Sequence, residues 1–170
     1  MDSMFHRISV ADFQKFSDLA RVIWHQSFSA IVSEAQIEYM LARRLSVASL
    51  AAYVDSDTRW LDLLWVDGAL AGYCSYALAD QPQQFKLEQL FLLGAYQGLG
   101  LGRKMFERIH AQAVACGRSE IVLLVNKSNA GPIAIYQHWG FEISAAETFD
   151  IGNGFFMDDY IMKKPVQITG

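Results

Sequence analysis

The sequence predicts an α/β (α+β) fold, with about four helices packed on a mixed, largely antiparallel sheet of about seven strands. Four segments carry apolar residues three and four positions apart, as amphipathic helices do. Seven other segments are short apolar or aromatic runs, and strands and helices alternate in the second half of the chain. The length of 170 residues is typical of one domain, so we expect residues 1–170 to form a single one.

The first third of the chain is predicted to contain a strand and two helices. The strand runs from Phe5 to Val10, and the first helix runs from Asp12 to Gln26. Ser33 has the position of a helix N-cap, because Gln36 completes a capping-box pattern three residues later. The second helix that begins there carries four apolar residues on one face: Ile37, Met40, Leu41 and Leu45.

Strand signals dominate the middle of the sequence. The aromatic-rich runs Arg59–Val66 and Ala69–Ala77 are separated by Asp67-Gly68, a dipeptide that strongly favours a two-residue hairpin turn. A further strand is predicted from Leu87 to Leu93.

The second half of the chain alternates between helices and strands. A helix is predicted from about Leu101 to Ala115, with Gly117 at its C-cap. The continuous apolar run Ile121–Val125 is typical of a strand buried on both faces. Asn129 is expected to cap the next helix, which ends at Trp139-Gly140. Two final strands, separated by a Gly-Asn-Gly turn, complete the sheet: Phe141–Phe149 and Phe155–Met162.

Composition excludes several classes of protein. Hydrophobic residues make up 52% of the chain and charged residues 19%, which excludes intrinsic disorder. The net charge is −4 and basic residues cluster only in pairs, so no nucleic acid partner is expected. Cys74 and Cys116 belong to no metal-binding or redox pattern, and we expect no metal site.

Membrane association is not expected either. The longest uncharged apolar stretch, around Val47 to Val54, is far shorter than the roughly 20 residues that span a bilayer. The N-terminal residues lack the pattern of a signal peptide, so a cytoplasmic protein is expected. A mean hydropathy of +0.15 is high for a soluble chain and indicates apolar surface that a homodimer would bury.

The segment from 87 to 103 carries the clearest functional signal. A strand runs into a turn with glycines at positions 98, 100 and 102, and an amphipathic helix follows directly. Glycines let the backbone approach a ligand closely, and a helix N-terminus supplies unpaired N–H donors and partial positive charge. The pattern therefore predicts a pyrophosphate site. Gly102-Arg103-Lys104 lacks the hydroxyl of a Walker loop, and the glycine spacing differs from that of a dinucleotide fingerprint.

The run Gln97–Gly102 resembles the Gln/Arg-x-x-Gly-x-Gly/Ala signature of the GNAT superfamily, the acetyl-CoA-dependent N-acetyltransferases. Downstream, Asn129, Tyr136 and Gly140-Phe141 resemble a second segment of that family at the right distance. The order of helices and strands also matches, so the resemblance covers nearly the whole chain. It implies a GNAT-like acyl-CoA N-acyltransferase fold, with acetyl-CoA (coenzyme A) as the cofactor.

The resemblance also implies which residues bind the cofactor. The strand ending at Leu90, Phe91 and Leu92 would pair with the pantetheine arm, and the Leu92 N–H would stabilise an oxyanion. Asn129 would also contact the pantetheine. The pyrophosphate would be held by the turn and the start of the helix, comprising Gln97, Gly98, Leu99, Gly100, Leu101, Gly102 and Arg103.

Two residues are the candidates for proton transfer. Tyr136 matches the tyrosine that the family uses as general acid, although it could instead simply pack under the next strand. Glu88 lies on the same face of its strand as Leu90 and Leu92, which makes it the candidate general base. A substrate anchor and a solvated charge are the two other interpretations of Glu88.

The resemblance implies that the first two helices and the last hairpin form the acceptor pocket. Trp24, Phe28 and Glu38 are the expected substrate-binding residues. Glu34 lies one helical turn before Glu38, and the two carboxylates could bind a polyamine or a lysine, or form a solvated helix face.

The predicted activity is acetyl transfer from acetyl-CoA to a primary amine by direct attack in a ternary complex. An acyl-enzyme is not expected, because no cysteine lies in the motif. The aromatic residues of the first helices favour a small-molecule amine, such as a polyamine or an amino acid. The alternatives are a protein N-terminus or lysine as acceptor, or a non-catalytic acyl-CoA-binding sensor.

Overall fold

The computed structural model describes residues 1–167, in which seven strands form one mixed sheet in the order β1-β2-β3-β4-β5-β7-β6. The strands are β1 Ser3–Arg7, β2 Arg59–Val66, β3 Ala69–Leu78, β4 Gln84–Leu92, β5 Glu120–Asn126, β6 Glu142–Gly152 and β7 Phe155–Pro165. The α-helices within the described residues are α1 Phe13–Phe28, α2 Glu34–Arg44, α3 Val47–Ala51, α4 Leu101–Ala115 and α5 Ala130–His138. The predicted fold class is therefore confirmed.

The chain divides into two compact units. The first unit comprises Met1–Ala77 and Gln89–Arg108, and the second comprises Leu78–Glu88 and the residues from Ile109 onward. Strand β4 and helix α4 each continue from one unit into the other. The expectation of one domain over residues 1–170 stays a prediction.

In the first unit, β1 and β3 both run antiparallel to β2. The turn between β2 and β3 is Asp67-Gly68, with φ values of 48° and 83°. Both values lie in the left-handed region that the favoured two-residue hairpin turn requires. The largest buried side chains of this unit come from α1, α2, β2 and β3, and include Phe16, Ile23, Ile37, Leu41, Leu61, Leu63, Leu64 and Tyr73.

In the second unit, β7 lies between β5 and β6 and is antiparallel to both. Strand β4 runs parallel to β5, with Gln84 opposite Glu120. Helix α4 ends at Ala115, and Gly117 terminates it: its φ of 69° and the bond from Arg118 N to Ala113 O (3.0 Å) confirm the predicted glycine cap. The buried side chains of this unit include Phe85, Ile121, Leu123, Phe141 and Met162.

The predicted boundaries differ from the observed ones mainly near polar residues. β1 covers Ser3–Arg7 rather than Phe5–Val10, because Ser9 N bonds to the Asp12 carboxylate (2.8 Å) and a short 3-10 turn follows. The Ser33 cap is confirmed, since its hydroxyl accepts from Gln36 N. The predicted N-cap position of Asn129 before α5 is confirmed as well, but its side chain makes no capping hydrogen bond.

Helix α3 was not predicted. It spans only five residues, Val47–Ala51, which is too short for a helical period to be recognised. The cap that begins it is Ser46, whose hydroxyl accepts from Ser49 N. The strands β4, β6 and β7 are also longer than predicted. Within residues 1–167 every helix is too short or too polar to serve as a membrane span.

Candidate active site

The glycine turn in the first unit is open above the start of α4. Gly98 and Gly100 have φ values of 77° and 79°, and an added Cβ at either would meet no heavy atom within 4 Å. Gly102 already lies in the first turn of the helix, where backbone N–H groups lack intrahelical acceptors. An exposed backbone with free amides and a helix N-terminus fits a diphosphate. The turn therefore has the form that a coenzyme A site requires.

The turn is connected to the end of β4. The Gln97 side-chain amide donates to Leu92 O at 3.3 Å. On the other side of Leu92, a Cβ at Gly72 of β3 would lie only 2.3 Å from Phe91 O. Only glycine permits this close approach of the two backbones. The structure thus brings the predicted strand residues Leu90–Leu92 next to the predicted pyrophosphate turn.

Aromatic rings pack around Phe91. Its ring centroid lies 5.9 Å from that of Trp24, 6.1 Å from that of Phe28 and 5.6 Å from that of Tyr73. Trp24 and Phe28 are both buried. They therefore support the strand that carries Phe91, and their predicted contact with the acceptor stays a prediction.

A chain of buried hydrogen bonds runs behind these rings, and sequence reasoning did not identify it. The Trp24 indole N–H donates to Tyr73 Oη (2.8 Å), and Tyr73 Oη donates to Gln89 Oε1 (2.9 Å). The Gln89 amide then donates to Ser75 Oγ (3.1 Å). Burial raises the pKa of the Tyr73 phenol, so it stays neutral. The sequence signal available for Gln89 was its position two residues after the apolar Leu87, which places both side chains on the same face of the strand.

The predicted acceptor residue Glu38 forms ion pairs with α1. Arg21 Nη1 lies 2.5 Å from its Oε2, and His25 Nε2 lies 2.7 Å from its Oε1. The hydrogen bond from Arg21, followed by that of His25, lowers the pKa of the Glu38 carboxyl. Its negative charge is thus already paired with the Arg21 guanidinium. Its role as a substrate residue stays a prediction.

The other candidates lie in the second unit. Glu88 is half-buried on β4, and strand alternation sets its side chain apart from buried Leu87 and Gln89. Tyr136 lies on α5, and its half-buried ring contacts those of Trp139 and Phe141 edge-on, at 5.8 and 5.7 Å.

The hydroxyl of Tyr136 is neutral and unpaired within the described part of the chain. Burial raises the pKa of the phenol, which keeps its proton. Among residues 1–167 no group forms a hydrogen bond with this hydroxyl. Such a group is free to donate to a ligand. Asn129, the remaining predicted cofactor residue, lies at the start of the same helix.

A buried carboxylate on β7 was also missed. Asp159 is 6% exposed, and burial, aided by the charge of Asp158, raises its pKa to about 6. Its Oδ1 is sealed from solvent and has no hydrogen-bond partner in the described part of the chain. The sequence shows two adjacent aspartates, and nothing in it indicates which of them is buried.

Comparison with known proteins gives consistent matches. Residues 16–141 match the model of the acetyltransferase (GNAT) family. An uncharacterized N-acetyltransferase of Mycobacterium tuberculosis is 28% identical over 131 residues, which cover 77% of this chain and 83% of the relative. A spermine/spermidine N(1)-acetyltransferase of Bacillus subtilis is 30% identical over 96 residues, covering 51% of this chain and 62% of the relative.

A similar fold is found in a solved structure. The PaiA N-acetyltransferase of Thermoplasma acidophilum, crystallised in complex with coenzyme A, superposes with a TM-score of 0.81 at 20% identity. The alignment covers 97% of this chain and 99% of that one. The likeness in fold therefore covers nearly the whole length of both chains.

Proposed function

The chain belongs to the acetyltransferase (GNAT) family, and on that premise we propose that it transfers an acetyl group from acetyl-CoA to the primary amine of a small molecule. Polyamines and amino acids are the acceptor classes that we favour. The Bacillus subtilis relative is named for spermine and spermidine, which supports an acceptor of this kind. A cytoplasmic location and a homodimer stay predictions.

The observation that carries the proposal is the open glycine turn at the start of α4. Gly98 and Gly100 keep the space above the turn clear, and the helix N-terminus provides free N–H donors. The predicted binding residues Gln97–Arg103 would hold the pyrophosphate of the cofactor there. Leu90–Leu92 and Asn129 would contact its pantetheine arm. When bound, acetyl-CoA supplies the acetyl group as a reactive thioester.

We assign the proton transfers to two side chains. The amine must be neutral to react, since an alkylammonium has a pKa of about 10 and no free electron pair. Glu88 is the proposed base that takes this proton, directly or through a water. Tyr136 is the proposed acid that would protonate the departing thiolate of coenzyme A, because its hydroxyl stays protonated and has no partner among residues 1–167. The backbone N–H of Leu92 is the proposed donor to the carbonyl oxygen of the acetyl group.

The test is a thiol-release assay with acetyl-CoA over a panel of small amines. We expect Tyr136→Phe to lower kcat by at least about tenfold while acetyl-CoA affinity is unchanged, because only the proton donor is lost. Tyr160→Phe is the matched control, since it removes a phenol hydroxyl from β7 of the same unit. It should leave kcat unchanged.

Three results would contradict the proposal or a part of it. Unchanged kcat in Tyr136→Phe would remove the general-acid role. Binding of acetyl-CoA without turnover of any amine would instead favour a non-catalytic acyl-CoA sensor. Acetylation of peptides alone, detected by mass spectrometry, would replace the small-molecule acceptor with a protein.

A further inference from the structure

The carboxylate of Asp159 is buried, yet residues 1–167 supply no hydrogen-bond partner for its Oδ1. Asp159 lies on β7, opposite Asn126 of β5 and Glu147 of β6. It is 94% buried, and within residues 1–167 its side chain forms no hydrogen bond or ion pair. A buried carboxylate normally accepts hydrogen bonds or pairs with a cation, because an uncompensated buried charge is strongly unfavourable.

The local charges increase this imbalance. Glu147 is the cross-strand neighbour of Asp159, and side chains of such pairs lie on the same face of the sheet. A second carboxylate therefore shares this face. The basic residue close enough to influence Asp159 is Lys127, but its Nζ is bound to Asp158 at 2.9 Å. Lys127 thus attracts Asp159 without forming an ion pair with it.

The ionisation of Asp159 fits a ligand-binding role. With a pKa of about 6, the carboxyl group is mostly ionised at neutral pH despite its burial. An ionised, desolvated and unpaired carboxylate binds a cationic N–H donor more strongly than one that is solvated or already paired. We propose that Asp159 binds an ammonium group of the acceptor, one that is not itself acetylated. This inference rests on the proposed function.

The ammonium must be a second amino group, for a chemical reason. A carboxylate stabilises the protonated form of a bound amine and so raises its pKa. The nitrogen that attacks the thioester must lose its proton, so a carboxylate-bound ammonium is a poor nucleophile. The acceptor that satisfies both requirements carries two amino groups, one that reacts and one that stays charged. The acceptor class is therefore a diamine or polyamine.

The neighbouring residue offers a matched control. Asp158 is adjacent in sequence and lies on the opposite face of β7. It is exposed, and it already pairs with Lys127 (2.9 Å) and accepts from Thr148 Oγ1 (3.0 Å). The variants Asp159→Asn and Asp158→Asn remove the same charge from positions one residue apart.

The experiment compares linear diamines of three to eight carbons with monoamines of the same length, at saturating acetyl-CoA. The two amino groups of a diamine give a statistical factor of two in kcat/KM even without a binding site. We expect the native enzyme to prefer the best diamine by about tenfold to a hundredfold, the strength of one charge-assisted hydrogen bond. Asp159→Asn should reduce this preference to the statistical factor, and Asp158→Asn should retain it.

The outcomes separate this inference from the proposed function. Turnover of monoamines and diamines alike in the native enzyme would refute the role of Asp159 and leave amine acetylation intact. A diamine preference that persists in Asp159→Asn would refute that role as well. Turnover of no amine would instead contradict the proposed function.

If no amine is turned over, calorimetric titration of the diamines into CoA-saturated protein decides the role of Asp159. Binding that weakens at least about tenfold in Asp159→Asn, but not in Asp158→Asn, would support the site. Equal binding to all three proteins, or none to the native one, would overturn it.

Discussion

Replacing Asp159 by asparagine is expected to make the folded protein more stable at neutral pH. The folded-state pKa of about 6 lies above the ordinary value of 3.8. Between these two pH values the folded chain binds more protons than the unfolded chain, so stability falls as pH rises through this window. Above pH 6 the full cost of the buried charge is present. Asparagine has nearly the same shape and no charge to desolvate.

The size of the effect follows from the pKa difference. The difference between 3.8 and about 6 is roughly two pH units, which at about 1.4 kcal/mol per unit gives an upper limit of about 3 kcal/mol. Solvent screening reduces this value, and we expect a gain of about 1–2 kcal/mol at pH 7.5. By the same linkage the gain should fall to roughly a third at pH 4.5.

Urea denaturation of both proteins at pH 7.5 and pH 4.5 measures this gain. Asp158→Asn is again the control, because hydrogen bonds from Lys127 and Thr148 lower the pKa of Asp158. Its charge therefore favours folding above the unfolded pKa, and removing it should bring no gain at pH 7.5. The reasoning would be refuted if Asp159→Asn were no more stable than the native protein. It would also be refuted if the gain in free energy of unfolding were the same at both pH values.

Two further predictions concern the glycine turn and helix α4. Gly100→Ala and Gly117→Ala each place a side chain at positive φ in open space, so each should destabilise the fold by about 1 kcal/mol. Only Gly100→Ala should also weaken CoA binding in calorimetry, and equal affinities would contradict the assignment of the turn. Arg108→Ala leaves the Asp62 carboxylate, 1% exposed and 2.7 Å from Arg108 Nε, without its cation. Denaturation should show that the free energy of unfolding falls by about 3 kcal/mol. A loss no larger than that of Arg103→Ala, which removes an exposed ion pair, would contradict this prediction.

The features that the sequence predicted well are specified locally. Arg59–Val66 and Leu101–Ala115 were predicted with the observed bounds, because a two-residue turn and a helical period act over a few neighbouring residues. Helix α3 was not predicted, because its five residues contain little more than one helical turn and are too few to show a helical period.

The polar residues of the strands could not be assigned in this way, since burial depends on partners far along the chain. Both β4 and β7 carry two adjacent polar residues, and alternation only requires that they lie on opposite faces. The structure buries Gln89 and Asp159. Tyr73 and Ser75 satisfy the hydrogen bonds of Gln89, so its burial stabilises the fold. Asp159 receives no such partner from residues 1–167. An unsatisfied, buried charge on an inner strand opposes folding, and a cationic ligand would offset that cost when it binds.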